Sequence, residues 1–295
     1  MARETWLVTG ATGQLGGHLL YELARTRPAA RVIAVSRSPA APPVGGAAEV
    51  VELADTDALR EVIRRHGPDY VIHAGAMTAV AQCHGAPGLA ERINRVATRV
   101  LAEAVADRGA RMVFTSTDMA FAGDKAPYRE NDPPDATSCY GRSKVAAEQD
   151  IAELAGVLTV RIPLLFGPPR NDRATTFTRQ VAALRAGEPL RLFTDEYRTP
   201  LFLPDAARAL VALARSDLDG VMHVAGPERL SRYELIERVA RRLKIDKPNL
   251  IACSRLSIEA AEPRPEDLSL DGSTFVARYP ALAPRPVEAC PLEDC

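Results

Sequence analysis

A short apolar run, a glycine-rich turn and an amphipathic helix follow one another over residues 5–24. The run Thr5-Trp6-Leu7-Val8-Thr9 is typical of a strand that is buried on both faces of a parallel sheet. The turn after it has the spacing GxxGxxG. Such a turn places backbone N–H groups at a helix N-terminus, where a pyrophosphate binds well. We therefore predict a dinucleotide-binding fold, with cofactor contacts from Gly10, Thr12, Gly13, Gln14, Leu15 and Gly16.

Strands and helices alternate along most of the chain, which predicts an α/β protein with a Rossmann-type, doubly wound parallel sheet. Further strands are predicted at 31–35, 69–73, 111–114 and 220–226. Helices are predicted at 89–108, 140–154, 176–186, 204–214 and 231–243. The pattern loosens from Pro163 onward. We therefore predict a nucleotide-binding domain at 1–162, to which 199–226 returns, and a smaller C-terminal substrate-binding part at 163–198 and 227–295.

The second predicted strand leads into Ser36-Arg37-Ser38. In dinucleotide-binding folds a carboxylate near this point binds the ribose 2′-hydroxyl of NAD, whereas an arginine accommodates the 2′-phosphate of NADP. No Asp or Glu lies between Arg31 and Val44. Ser36, Arg37 and Ser38 therefore favour NADP(H), with NAD(H) as the alternative cofactor.

Small and hydroxyl-bearing residues follow the next two predicted strands. Ala74, Gly75 and Ala76 come after the strand at 69–73, where small side chains let a cofactor lie close to the backbone. The segment Thr115-Ser116-Thr117-Asp118 follows the strand at 111–114. Ligands of open α/β sheets bind outside the carboxyl ends of the strands. We therefore predict that both segments, including Thr115, contact the cofactor site.

Tyr140 and Lys144 are spaced so that they share one face of a helix. Only four of the 37 basic residues are lysines, so a chance pair of this kind is infrequent. A phenol has an ordinary pKa of about 10, and a neighbouring ammonium lowers that pKa toward the range of effective acid–base catalysis. We predict that Tyr140 transfers a proton and that Lys144 lowers its pKa and binds the cofactor ribose. An incidental surface pair is the alternative.

Composition narrows the classes of partner. The net charge of −1 gives no basic footprint for nucleic acid. No apolar run reaches the roughly 18 residues of a membrane-spanning helix, and no signal-peptide pattern precedes the first strand. The five cysteines lack metal-ligand spacing, and free thiols are typical of a reducing cytoplasm. We expect a cytoplasmic protein with a small-molecule substrate and without metal, nucleic acid or membrane.

Several motifs together resemble the extended short-chain dehydrogenase/reductases. They are the glycine turn, Ser116-Thr117-Asp118, the Tyr140/Lys144 pair, and Arg161 with Phe166-Gly167-Pro168. Three further segments are similar to the branch of dTDP-4-dehydrorhamnose reductase, namely Met77-Thr78-Ala79-Val80, Pro127-Tyr128-Arg129-Glu130 and Arg264-Pro265-Glu266-Asp267-Leu268-Ser269-Leu270-Asp271. The resemblance covers nearly the whole chain. It implies that NADPH reduces a carbonyl group, most specifically that of a 4-keto sugar nucleotide.

The resemblance also implies roles for single residues. The catalytic set that it implies consists of Thr117, Tyr140 and Lys144. Thr117 would polarise the carbonyl oxygen that Tyr140 protonates. Glu52, next to Leu53, is expected near the adenine of the cofactor, and Asn94 is expected near the active site.

On the substrate side the sequence departs from that branch. The substrate-binding residues that we expect are Met77, Thr78, Met119 and Arg198. Met119 and Leu164 stand where the branch has Tyr and Trp, which leaves a substrate other than a sugar nucleotide open. Arg198 fits either an anionic substrate group or a salt bridge to Asp195 or Glu196.

Two other functions remain open beside the reductase. A sugar-nucleotide epimerase or dehydratase would use the same machinery and regenerate its cofactor. Dehydratases of this superfamily carry an Asp-Glu pair after the hydroxyl residue, whereas here Met119 follows Asp118. A non-catalytic, NADP-binding regulatory subunit would not need the catalytic set that this chain retains. By analogy with extended members of the superfamily, the helices at 89–108 and 140–154 predict a homodimer.

Arg37 generates a prediction about cofactor preference. A bidentate contact between arginine and phosphate contributes roughly 1.5–3 kcal/mol, which equals a preference of roughly 10- to 100-fold for NADPH over NADH. Arg37→Asp should remove or reverse this preference, because a carboxylate repels the 2′-phosphate and accepts a hydrogen bond from the 2′-hydroxyl. The measurement is kcat/KM with each cofactor at one salt concentration. Equal wild-type values for the two cofactors would contradict the prediction.

Overall fold

The computed structural model describes residues 3–43, 45–171 and 173–292. Its strands in chain order are β1 (Thr5–Thr9), β2 (Arg31–Ser36), β3 (Ala47–Val50), β4 (Tyr70–His73), β5 (Arg111–Thr117), β6 (Val157–Ile162), β7 (Leu165–Phe166), β8 (Leu190–Phe193), β9 (Tyr197–Arg198), β10 (Leu201–Phe202), β11 (Gly220–His223), β12 (Leu230–Ser231) and β13 (Leu250–Cys253). Seven of them form a parallel sheet in the order β11-β6-β5-β4-β1-β2-β3. The other six pair as β7 with β10, β9 with β12, and β8 with β13.

Helices cover both faces of this sheet. The α-helices are α1 (Gln14–Thr26), α2 (Thr56–His66), α3 (Val80–Gly85), α4 (Pro87–Ala90), α5 (Ala97–Ala106), α6 (Cys139–Ile151), α7 (Thr176–Ala186), α8 (Leu203–Ala214), α9 (Arg232–Arg242) and α10 (Ser273–Arg278). Short 3-10 helices occur at Asp118–Ala120, Arg255–Ser257, Pro280–Leu282 and Val287–Ala289. The predicted doubly wound α/β fold is thereby confirmed. In the part of the chain that the structure describes, no helix has both the length and the apolarity to cross a membrane.

The helix predicted at 89–108 is present and continuous over 87–106, but it is not a regular α-helix throughout. A π-helical turn, Glu91–Val96, lies between α4 and α5. The π-helical turn carries Asn94, whose amide binds the backbone of Met77 through both its oxygen and its nitrogen. A widened turn of this kind is frequent at functional sites.

The sheet is apolar on both faces because each face is covered by helices. One core packs α1 and α8 against the sheet around Trp6, and the other packs α2 and α5 around Leu101. The segment 199–226 contributes α8 and β11 to this body. Phe275 of α10 is also fully buried in the core around Trp6.

A separate core gathers the C-terminal elements around Phe166 and Leu235. Residues 267–270 connect the two parts through isolated β-bridges. Leu270 pairs with Tyr128, and Asp267 pairs with Tyr197. The division into a nucleotide-binding domain and a substrate-binding part stays a prediction. Because Phe275 packs in the core around Trp6, α10 is assigned to the nucleotide-binding domain in that division.

Phe275 tests whether α10 stabilises the central body. Phe275→Ala should lower the free energy of unfolding by about 3–5 kcal/mol, because it removes a fully buried ring from a close-packed core. Val276→Ala is the matched control, since the neighbouring Val276 is 38% exposed. Urea unfolding measures both variants. A loss for Phe275→Ala no larger than that of the control would contradict this packing role.

Candidate active site

The glycine turn folds tightly against the loop that follows β4. Gly10 has a φ of +68°, and a Cβ there would lie only 2.8 Å from Cα of Gly75. A Cβ at Gly16 would overlap the carbonyl oxygen of Gly10. Gly13 caps α1 without a side-chain hydrogen bond, so the first N–H groups of α1 are left for an anion. This cradle fits a dinucleotide, which needs a close approach to the backbone.

The other predicted cofactor residues lie near the carboxyl ends of β1 to β5, along one edge of the sheet. Thr9 Oγ1 accepts the Gly75 N–H at 3.1 Å and contacts His73 Nδ1 at 2.6 Å. A methyl carbon of Leu53 would lie 2.8 Å from a Cβ at Gly75, which places Leu53 against the cradle. The Arg37 side chain is exposed beyond the end of β2. These remaining positions lie around the same edge: Thr12, Gln14, Leu15, Ser36, Ser38, Glu52, Ala74, Ala76 and Thr115.

The loop after β7 covers the glycine turn, and sequence reasoning missed this contact. Asn171 Nδ2 donates to the carbonyl oxygen of Thr12 at 3.0 Å. His18 Nε2 contacts the carbonyl oxygen of Pro168 at 2.9 Å. Taken by itself, the segment Pro168-Pro169-Arg170-Asn171-Asp172 indicates only an exposed turn, and Asp172 lies outside the described residues. The one signal was the position of Pro168 after the Phe-Gly motif.

Thr117 and Tyr140 meet where β5 ends and α6 begins. Thr117 is the last residue of β5, and Tyr140 lies in the first turn of α6. Ser138 caps α6, since its hydroxyl accepts the Gly141 N–H at 3.0 Å. Burial raises the pKa of the Tyr140 phenol, and a hydrogen bond with Thr117 offsets this only in part. The phenol is therefore neutral, which is the form that can donate a proton.

Lys144 lies one turn after Tyr140 and is 2% exposed. Its Nζ lies 4.0 Å from the centroid of the Phe114 ring. Burial lowers the pKa of Lys144 to about 7, against the charge of Glu148, which raises it. The expected lowering of the Tyr140 pKa by this ammonium is not found, because burial dominates the pKa values of both groups.

A buried ion pair anchors α6 to the sheet. Arg161 of β6 contacts Glu148 of α6 through Nη2 at 2.7 Å and through Nε at 3.2 Å. The Ser116 hydroxyl of β5 donates to the same carboxylate. Arg161 Nη1 also contacts His223 Nε2 of β11 at 3.4 Å. Four elements therefore meet at one pair of charges.

Asn94 joins the loop after β4 to α6. Its Oδ1 accepts the Met77 N–H at 2.8 Å, and its Nδ2 donates to the Met77 carbonyl oxygen at 3.0 Å. The same Nδ2 donates to Ser143 Oγ at 2.9 Å, and that hydroxyl donates to the Tyr140 carbonyl oxygen at 2.7 Å. Asn94 is therefore a structural link between the predicted substrate loop and the helix of Tyr140.

The predicted substrate residues differ in exposure. Met77 and Met119 pack against Tyr140, whereas Thr78 is exposed. Arg198 is buried, with Nε 3.3 Å from Asp118 Oδ2 and Nη2 3.5 Å from Glu196 Oε1. The salt bridge to Glu196 is therefore present, and sequence reasoning missed the partner Asp118.

Asp195, the other partner considered for Arg198, lies elsewhere. It accepts the Arg255 N–H at 2.7 Å and a hydrogen bond from the Ser254 hydroxyl at 2.5 Å. Across residues 3–43, 45–171 and 173–292 no group of three or more His, Cys, Asp or Glu could hold a metal ion.

The fold and this site define the class of extended short-chain dehydrogenase/reductases, as the sequence predicted. Within it, the chain belongs to the family of the RmlD substrate binding domain, whose family model matches residues 4–286. The chain is 30% identical to dTDP-4-dehydrorhamnose reductase of Streptomyces griseus, over 93% of this chain and 88% of that protein. It is 26% identical to methionine adenosyltransferase 2 subunit beta of Xenopus tropicalis, over 90% of this chain and 80% of that protein. A solved structure of dTDP-4-dehydrorhamnose reductase from Bacillus anthracis in complex with NADP is similar with a TM-score of 0.83 and 25% identity, covering 94% of this chain and 93% of that one.

The lowered pKa of Lys144 generates a prediction about stability. The pKa of an unfolded lysine is about 10.4, so above about pH 7 the unfolded chain binds a proton that the folded chain has released. The titration of Lys144 should therefore add to the free energy of unfolding a contribution that rises with pH between about 7 and 10. Lys144→Met removes this contribution, so the stability of wild type relative to the variant should rise with pH.

Urea unfolding at several pH values between about 7 and 9, without added cofactor, measures this difference. Lys125→Met is the control, because the exposed Lys125 should leave the pH dependence as in wild type. A difference between wild type and Lys144→Met that stays constant with pH would contradict the burial argument.

Proposed function

We propose that this chain is an NADPH-dependent reductase that converts the 4-keto group of a sugar nucleotide to a hydroxyl group. The observation that carries the proposal is the placement of Thr117 at the end of β5 and of Tyr140 at the start of α6, beside the buried Lys144. The pair lies at the same edge of the sheet as the glycine cradle. Membership of the family and the similarity to dTDP-4-dehydrorhamnose reductases support the substrate class.

The cradle of Gly10, Gly16 and Gly75 would hold the cofactor pyrophosphate over the start of α1. Arg37 would contact the 2′-phosphate, and Lys144 would bind the ribose next to the nicotinamide. When bound, the cofactor supplies a hydride to the carbonyl carbon. The NADP in the similar Bacillus anthracis structure supports this preference.

Tyr140 would donate its phenolic proton to the carbonyl oxygen as negative charge develops there. Thr117 would hold the phenol in place and polarise the same oxygen. Lys144 has a pKa near neutrality, so it takes up a proton readily when a negative charge forms close by. Asn94 would keep the substrate loop at Met77 in register with α6.

The substrate would enter between the loop after β4 and the C-terminal part. Met77, Thr78 and Met119 would border it, with aliphatic contacts in place of aromatic ones. The similarity of Met77-Thr78 to the reductase branch supports a sugar nucleotide. We further propose a cytoplasmic homodimer that pairs through the surfaces of α5 and α6.

A regulatory role is the second candidate, since methionine adenosyltransferase 2 subunit beta is similar over most of this chain. A protein in such a role has no need of a phenol, a hydroxyl and an ammonium buried together. The retained set therefore favours the reductase. An epimerase or dehydratase is less well supported, because Met119 occupies the place of the second acid.

Tyr140→Phe tests the proposed function. The substitution removes the proton donor and leaves the ring, so turnover should fall at least about 100-fold while NADPH affinity changes little. Tyr279→Phe is the control, because Tyr279 packs on Phe275 and is none of the predicted site residues. NADPH oxidation is followed with dTDP-4-keto-6-deoxy sugars and, separately, with smaller ketones and aldehydes.

The panel separates the candidates. Turnover of sugar nucleotides above that of the small carbonyls is the expected result. Activity of Tyr140→Phe above a tenth of wild type would contradict the assignment of the donor. A wild-type protein that oxidises NADPH with no carbonyl of the panel would favour the regulatory role.

A further inference from the structure

The Thr117 hydroxyl lies beside polar groups that have no part in the proposed reduction step, in addition to Tyr140. Its Oγ1 donates to Asp118 Oδ1 at 3.1 Å and accepts the Met119 N–H at 3.1 Å. Its third neighbour is the Tyr140 hydroxyl. A hydroxyl has one hydrogen and two lone pairs. The carboxylate of Asp118 and the phenolic oxygen of Tyr140 therefore compete for one hydrogen.

Among the described residues, Arg198 is the cation within salt-bridge distance of Asp118. Arg198 Nε lies 3.3 Å from Asp118 Oδ2, and both side chains are less than a tenth exposed. Oδ2 receives no hydrogen bond in the described residues, so the contact with Arg198 is an electrostatic one. Burial favours the neutral form of Asp118 and raises its pKa, whereas Arg198 acts in the opposite direction.

Arg198 comes from the C-terminal part of the molecule. It lies on β9, where Nη1 donates to the carbonyl oxygen of Tyr197 at 2.6 Å. Its second carboxylate, Glu196, also pairs with Arg232 at 2.9 Å and with Arg264 at 3.5 Å. The Arg198 guanidinium is therefore fixed by the substrate-binding part and reaches Thr117 only through Asp118.

We propose that Arg198 is a positioning residue that holds Asp118 as a carboxylate and thereby controls which oxygen receives the Thr117 hydroxyl hydrogen. The proposal rests on the proposed reductase function and gives Arg198 a role other than binding an anionic group of the substrate. It also gives Asp118 a role that does not require proton transfer to the substrate.

The proton balance explains why the competition matters. Before reduction, the Tyr140 phenol keeps its proton and Thr117 donates to Asp118. The hydride then reaches the carbonyl carbon, the Tyr140 proton reaches the carbonyl oxygen, and Tyr140 is left as a phenolate. The phenolate is stabilised when the Thr117 hydrogen turns toward it. Asp118 can release that hydrogen because Arg198 still balances its charge.

The test compares Arg198→Met, Asp118→Asn and the double variant, each in the wild-type and in the Thr117→Val background. Removal of one charge-assisted contact should lower kcat roughly tenfold and leave KM nearly unchanged. The double variant should be no slower than the slower single variant, because both residues act through Thr117. In the Thr117→Val background, removal of Asp118 and Arg198 should change kcat less than about twofold.

Arg198→Lys keeps the positive charge and should retain most of kcat. Arg111→Met is the matched control, because Arg111 pairs with Asp219 at 3.0 Å at the opposite end of β5. Arg198→Met leaves the buried Asp118 without its salt-bridge partner, whereas in Asp118→Asn the guanidinium of Arg198 keeps Glu196. NADPH binding is therefore measured first to show that each variant is folded. If a single variant is not folded, the double variant, which lacks both charges, still tests the proposal. Its effect on kcat is then compared between the wild-type and the Thr117→Val backgrounds.

A rise in KM with kcat retained, or equal losses in both Thr117 backgrounds, would overturn the proposal and favour a direct contact with the substrate. The wild-type rate on the same sugar nucleotide tests the proposed function separately. If the wild type does not reduce the sugar nucleotide, the proposed reductase function is wrong. If the wild type is active but the losses of Arg198→Met and Asp118→Asn are additive, only the proposed role of Arg198 is wrong.

Discussion

The position of α6, the helix that carries Tyr140 and Lys144, depends on the buried ion pair of Glu148 and Arg161. This pair joins α6 to β6, and Ser116 and His223 attach it to the neighbouring strands. Removal of one partner would leave an uncompensated buried charge, at a cost of about 3–5 kcal/mol. Lys144 lies one helical turn before Glu148, and the phenol lies one turn before Lys144. Because all three residues lie on α6, the ion pair at Glu148 also fixes the positions of Lys144 and Tyr140.

Much of the fold could be predicted because it follows from local patterns. The glycine turn and the apolar strands depend on residues close together in sequence, and the structure confirms them. The π-helical turn at 91–96 could not be predicted, because the apolar face of α5 has an ordinary helical period. Within it, Asn94 makes a pair of hydrogen bonds with a loop that is distant in sequence, and the local pattern carries no sign of this contact.

The candidate site also combines features that the sequence predicts with features that only the folded chain shows. The spacing of Tyr140 and Lys144 predicts their common helix face, whereas Arg198 meets Asp118 only after the C-terminal part has folded back. Simple charge reasoning predicted a lowered pKa for the phenol. In the structure the low dielectric around both side chains has the larger effect, and it favours their neutral forms. Burial of this kind cannot be read from spacing.

The π-helical turn at 91–96 amounts to one extra residue within an otherwise regular helix. Loss of Arg95 or Val96 would restore regular α-helical hydrogen bonding and rotate the preceding part of the helix, Asn94 included, by about 100° about the helix axis. Asn94 would then point away from Met77, while the buried face of α5 would remain in place. Homologous chains that use the same loop should therefore keep a fixed length between Met77 and Val100.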